Sequence, residues 1–185
     1  MARVPPASKE NLPQDLQGAF DSMVQSRGGL PRTGPASVMI NSPEACRRAF
    51  HLSDYLRRES TLAPHVQELA MLVTARELDC QYVWNAHAAS GKKAGLSAEL
   101  VDALRDHDQL PPLKPEEAAV INYGQEFFRT HHVSRGAFQA AQEQFGVQGL
   151  AELTMLMSFY AMLAFHVNAF DVDLPAERTE PLLPV

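Results

Sequence analysis

Cysteine is scarce in this 185-residue chain, which has only Cys46 and Cys80, too few for the disulfide framework of a small secreted domain. Basic residues form no Lys/Arg-rich block: 16 Lys and Arg stand against 22 Asp and Glu, for a formal net charge of −6. That excludes nucleic acid as a partner, because neutralising phosphates requires clustered cations. The least polar stretch, Leu153 to Phe165, falls short of the roughly 20 residues that a membrane-crossing helix needs. The amino end, Met1 to Pro13, is polar and proline-bearing, without the apolar centre of a secretory signal. A cytoplasmic protein with no membrane partner is therefore expected. Also missing is any run of alternating, β-branched residues long enough for a strand, or any fixed-period repeat.

What the chain does have is hydrophobic content, at 45%, and helical periodicity. Leu12, Leu16, Phe20, Met23 and Val24 recur at three- and four-residue steps before Gly28-Gly29, which predicts a first amphipathic helix. Pro31, Gly34 and Pro35 read as loop. Ser42-Pro43-Glu44 starts a helix that carries Cys46, Phe50 and Tyr55, and Pro64 opens another that buries Val66, Leu69, Ala70 and Val73. Asp79 reads as the cap of a helix from Cys80 to about Ala94, closed by Gly95. Ser97, the proline-rich segment Leu110 to Pro115, and Ser134 start three more, the last stopped by Gly146. The final helix, Leu150 to about Phe170, is apolar on nearly every face, which predicts central burial together with a subunit interface. An all-α helical bundle follows. We expect a single domain over 14–172, between a flexible amino-terminal segment, 1–13, and an extended tail, 173–185.

The segment from Glu68 to Leu100 carries the chemistry. Cys80 and His87 are seven residues apart, which at about 100° per residue returns them to one helix face, roughly 10 Å apart along the axis. A thiol in the first turn of a helix meets exposed amides and the positive end of the macrodipole, both favouring thiolate, whereas the carboxylate of Asp79 opposes it. Taken singly, each residue has a plainer reading: free cysteines are commonly small buried hydrophobes, and a lone histidine or glutamate commonly serves packing or solvation. The seven histidines include no HxxxH or HExxH pair, so no metal site is expected.

An acid, then after a short turn a cysteine, then a histidine seven residues later and the glycine stop of Ala94-Gly95-Leu96-Ser97, resembles the active-site segment of the carboxymuconolactone decarboxylase and alkylhydroperoxidase D superfamily. Ser158-Phe159-Tyr160-Ala161-Met162 with Asn168 is similar to its closing helix. The resemblance covers about residues 40–172 and implies an oligomeric alkylhydroperoxidase D-like bundle, a trimer or a multiple of trimers. In the peroxidase branch it implies that Glu68 and His87 relay a proton to Cys80. Val83 stands where that branch has a second cysteine and where the decarboxylases carry an acid-containing segment. The pattern formed by Cys80, Tyr82, Trp84 and His87 therefore resembles a single-cysteine subgroup.

These readings lead to an expectation of cofactor-independent acid–base chemistry, a decarboxylase, lyase or isomerase acting on a small carboxylated or aromatic-pathway metabolite. His87 would carry the proton, Glu68 would orient it, and Cys80 would stand at the pocket wall. Tyr82, Trp84 and Tyr160 are candidate substrate-binding side chains, offering flat apolar walls and a hydrogen-bond donor. The alternatives are a thiol peroxidase on Cys80, with Cys46 as the internal candidate for a resolving thiol, and a non-enzymatic oligomeric ligand-binding scaffold.

Overall fold

The computed structural model describes residues 2–178 and 180–185; Met1 and Thr179 lie outside the described residues. Among the described residues there are eight α-helices and no strand, the all-helical class that the periodicity predicts. They are α1 (Gln14–Ser26), α2 (Pro35–Met39), α3 (Pro43–Arg58), α4 (Pro64–Glu77), α5 (Gln81–Lys93), α6 (Ala98–Asp106), α7 (Pro115–Thr130) and α8 (Arg135–Phe170), with one 3₁₀ turn at Lys9–Asn11.

The helix starts follow local chemistry. Proline occupies the first position of α2, α3, α4 and α7, where its missing N–H would be unpaired anyway and its φ is pre-set. Ser97 Oγ accepts from the Leu100 amide at 3.1 Å and Ser134 Oγ from the Ala137 amide at 3.3 Å, each satisfying one orphan donor of a helix start. Pro35 begins a short helix where the sequence suggests a loop, and it buries Ala36, Val38 and Met39. Gly146 interrupts α8 at φ 67, ψ −178, a conformation that glycine takes without Cβ strain. The break lies at the predicted stop, and the chain turns helical again directly after it.

The centre of the molecule is α4, which packs against α5, α7 and α8. Every residue from Val66 to Arg76 is buried. The sequence predicts only one apolar face here; helices on several sides also enclose Gln67, Glu68, Thr74 and Arg76. Burial of these polar groups is offset in large part by partners: the Gln67 amide donates to Leu62 O at 3.0 Å, the Thr74 hydroxyl to Ala70 O at 2.8 Å, and Arg76 Nη1 to Asp79, while Arg76 Nε is buried without a partner among the described residues. Leu69, Met71 and Leu72 are wholly buried, each contributing about 1.5–3 kcal/mol of hydrophobic stabilisation.

Helix α8 divides its apolar residues between two faces. Leu153, Leu156, Phe159, Leu163 and Val167 enter the core, while Val147, Met155 and Phe165 are exposed, the last at 65%. By length and composition α8 passes as a membrane span, but 61% of its most apolar window is buried inside the bundle, so the core accounts for most of that composition. One buried acid on α8 fastens the neighbouring connection: Glu152 accepts hydrogen bonds from Tyr55 Oη (2.7 Å), the Thr61 amide (2.8 Å) and hydroxyl (2.6 Å), and Gln148 Nε2 (3.1 Å). This ties α8 to α3 and to the turn before α4.

Both ends of the chain carry fixed contacts. Where the sequence suggests a flexible segment, the Arg3 amide donates to Phe170 O at 2.8 Å, its guanidinium to Ala169 O at 3.0 Å, and Ala7 is buried. A cation on the last carbonyls of α8 complements the negative end of that helix. Among its described residues the tail has no regular structure and lies along α5: the Gln81 side chain pairs with both backbone groups of Leu183 (2.8 and 2.9 Å), and Lys92 with Glu180 (2.8 Å).

Candidate active site

The turn between α4 and α5 sets the site. Asp79 adopts a left-handed conformation, φ 48, so Cys80, not Asp79, is the cap residue and α5 begins at Gln81. An aspartate tolerates this region because its short polar side chain bonds locally, here to Arg76. That ion pair takes the Asp79 charge that the sequence set against the thiol. Cys80 is wholly buried. Burial pushes its thiol up, and the amides of Val83 and Tyr82, facing the sulfur without closing a cap hydrogen bond, pull the other way and are outweighed. The Cys46 thiol is likewise pushed up by burial, to about 11, against the pull of Arg27.

Two turns along α5, His87 Nδ1 meets Glu68 Oε2 of α4 at 2.8 Å. The close packing of the two helices permits this reach. A Cβ on Gly91, one turn beyond His87, would lie 3.0 Å from Leu96 Cδ1 and 3.1 Å from Leu72 Cδ1, closer than ordinary van der Waals contact. The second oxygen of Glu68 accepts from Arg57 at 3.3 Å, and Arg57 also donates to Tyr160 Oη at 2.9 Å. The Tyr160 ring stands edge-to-face on the His87 ring at 5.1 Å between centroids. Four residues from α3, α4, α5 and α8 thus close a ring of contacts. Burial pushes the Tyr160 phenol up, and the nearby Arg57 charge opposes it.

This arrangement has a definite proton chemistry. An ionised carboxylate only accepts, so the Glu68 contact fixes the proton on Nδ1 and leaves Nε2 as the position that takes up or gives a proton. The side chains of Glu68 and His87 are 9% and 12% exposed, whereas that of Arg57 is 38% exposed. Solvent reaches the network chiefly at the guanidinium.

Of the sequence-predicted residues, Glu68, His87 and Tyr160 come together. No hydrogen bond joins Cys80 to His87 among the described residues. Trp84 is 1% exposed, in the core. Tyr82 packs its phenol against Gly34 and lines a separate cavity with Asn168 and the segment after α8. Arg57 was missed by sequence reasoning: in the last turn of α3 it reads as an ordinary cation at a helix carboxyl end. Only the long-range contact, eleven residues on to Glu68 and 103 on to Tyr160, reveals it.

Residues 43–126 match the carboxymuconolactone decarboxylase family. No curated protein matches the sequence. Among solved structures, an uncharacterised peroxidase-related protein with an alkylhydroperoxidase core from Ralstonia eutropha JMP134 is similar at TM-score 0.70 and 17% identity, covering 95% of this chain and 93% of that one. A peroxidase-related protein from Silicibacter sp. TM1040 also gives TM-score 0.70 at 17% identity, over 96% and 93% of the two chains. The debrominase Bmp8, as a cysteine-to-alanine variant in complex with 2,3,4-tribromopyrrole, gives TM-score 0.68 at 15% identity over 95% of each chain. The fold is that of alkylhydroperoxidase D-like proteins. The family match spans α3 to most of α7, a little under half of the chain.

Proposed function

We propose that the protein is a cofactor-independent acid–base enzyme, of lyase or isomerase type, acting on a small carboxylated or oxygenated metabolite of aromatic pathways. The observation that carries this reading is the 2.8 Å contact between His87 Nδ1 and Glu68 Oε2, which leaves Nε2 as the free proton carrier. In a decarboxylation the carbon–carboxylate bond breaks, its electron pair stays on carbon, and CO₂ departs. The imidazolium then gives its Nε2 proton to that carbon and is reprotonated from solvent, with Glu68 stabilising the charged ring. The Tyr160 ring stands edge-to-face on the imidazole, and Arg57 holds Glu68 and Tyr160 in place. Acid–base help of this kind is worth about 10²–10⁴-fold in rate.

A second reading, thiol chemistry at Cys80, is favoured by one observation, the Val83 and Tyr82 amides facing the sulfur. Against it stand the burial of both thiols and the valine at position 83. Incubation with a panel of carboxylated lactones and β-keto acids in D₂O, followed by ¹H NMR for CO₂ loss and deuterium uptake, tests the first reading. Activity surviving Cys80→Ser and lost in His87→Ala supports it; hydroperoxide consumption lost in Cys80→Ser, with no turnover of the panel, would establish the second.

We also propose that copies associate through the outer face of α8. Between Val147 and Phe170 the one charged residue, Glu152, is buried, so the exposed stripe of Val147, Met155 and Phe165 presents no charge to a second, identical stripe.

A further inference from the structure

The amino-terminal arm borders an open cleft remote from the His87 network. The arm is anchored at Arg3 by two hydrogen bonds to the end of α8 and at Ala7 by burial. Between these anchors Val4, Pro5 and Pro6 form one wall; Leu30, Pro31 and the α2 residue Val38 form the other, around a volume of about 710 Å³. Protein interiors are close-packed. A space of this size under a strap held at both ends is of the kind that small-molecule sites occupy, about 300–1,000 Å³ with apolar walls and a few polar groups.

The polar groups here are of mainly one sign. Arg3 and Arg32 both line the cleft, with Asp173 as the single acid. Arg3 spends one guanidinium nitrogen on Ala169 O. Arg32 is exposed and has no hydrogen-bond or ion-pair partner among the described residues. The Ser37 hydroxyl, also in the lining, is engaged by Gly34 O at 2.7 Å. Two guanidiniums against one carboxylate leave the mouth positive, and an unpaired guanidinium matches a planar carboxylate in two parallel hydrogen bonds. We propose that this cleft is a second ligand site, for an amphipathic monocarboxylate whose apolar body lies between the arm and α2 and whose head is held by Arg32. The site is independent of the chemistry assigned to His87.

Isothermal titration calorimetry of the full chain tests it with sodium octanoate and its uncharged counterpart octan-1-ol as probes. Octanoate should bind wild type more tightly than octan-1-ol, and Arg32→Gln should weaken octanoate at least about tenfold, as expected for loss of a charge-assisted hydrogen bond, while leaving octan-1-ol unchanged. Ser37→Phe, which places a bulky ring in the cleft, should weaken binding of both. Arg32 is exposed, so its replacement does not endanger the fold. No binding of octanoate to wild type, or equal affinity in Arg32→Gln, overturns the proposal.

Discussion

Glu152→Gln should destabilise the protein in a pH-dependent way that the wild-type contacts fix in advance. The carboxyl is almost fully buried, and burial alone pushes its pKa up. Hydrogen bonds from the Thr61 hydroxyl, Tyr55, Gln148 and the Thr61 amide more than reverse this and hold it at about 2, against an ordinary 4.5. The folded value is the lower one, so the stabilisation is present in full above the unfolded value near 4.5 and is lost as pH falls towards 2. The difference between the two values corresponds to at most about 3 kcal/mol; solvent screening beside the partly exposed Tyr55 reduces this to about 1–2 kcal/mol. Glutamine keeps an acceptor for Thr61 but turns an N–H₂ towards one of the other donors. At neutral pH the melting temperature should fall by roughly 2–8 °C. Thermal melts followed by circular dichroism between pH 7 and pH 2 measure the gap between the two proteins. It should be widest above pH 5 and close steadily below 4.5. A gap that stays constant across that range would refute the argument, since it would mean that the Glu152 charge contributes nothing.

Three further outcomes are expected. Iodoacetamide should modify Cys46 and Cys80 at least about 100-fold more slowly in the native protein than in denaturant, because both are buried and their thiols are pushed up; intact-mass spectrometry over time reads this, and rapid native labelling of Cys80 would favour thiol chemistry. Gly124→Val should cost about 1–3 kcal/mol by overpacking, because a Cβ there would stand 2.8 Å from Met157 Cε and 2.9 Å from Val73 Cγ1; a denaturant melt with an unchanged midpoint would contradict it. Phe165→Glu should shift the sedimentation profile to smaller species by placing charge in the α8 stripe. An unchanged profile would show that α8 is not the interface.

The sequence by itself determined the helices other than α2, and most of their punctuation. Prolines at first helical positions, capping serines at 97 and 134 and the glycine at 146 act through bonds to their own neighbours, so their effect is readable without a fold. Glu68, Cys80 and His87 were legible as candidates, because they lie within one short segment whose spacing resembles a known family; that Glu68 reaches His87 was decided by the packing of α4 on α5. What only the tertiary structure decided depends on groups distant in sequence. Full burial of α4 follows from the helices that enclose it, which made Glu68, Thr74 and Arg76 interior residues although the local pattern shows one apolar face. Arg57 reached the site only when the end of α3 came down on α4 and α8, and Glu152 found Tyr55 and Thr61 across about ninety residues of chain. The thiol of Cys80 was open in the sequence, because nearby amides and a neighbouring carboxylate pull in opposite directions. Packing resolved it: Asp79 turned to Arg76, the sulfur went into the core, and desolvation, which has no signature in a local motif, became the largest influence on it.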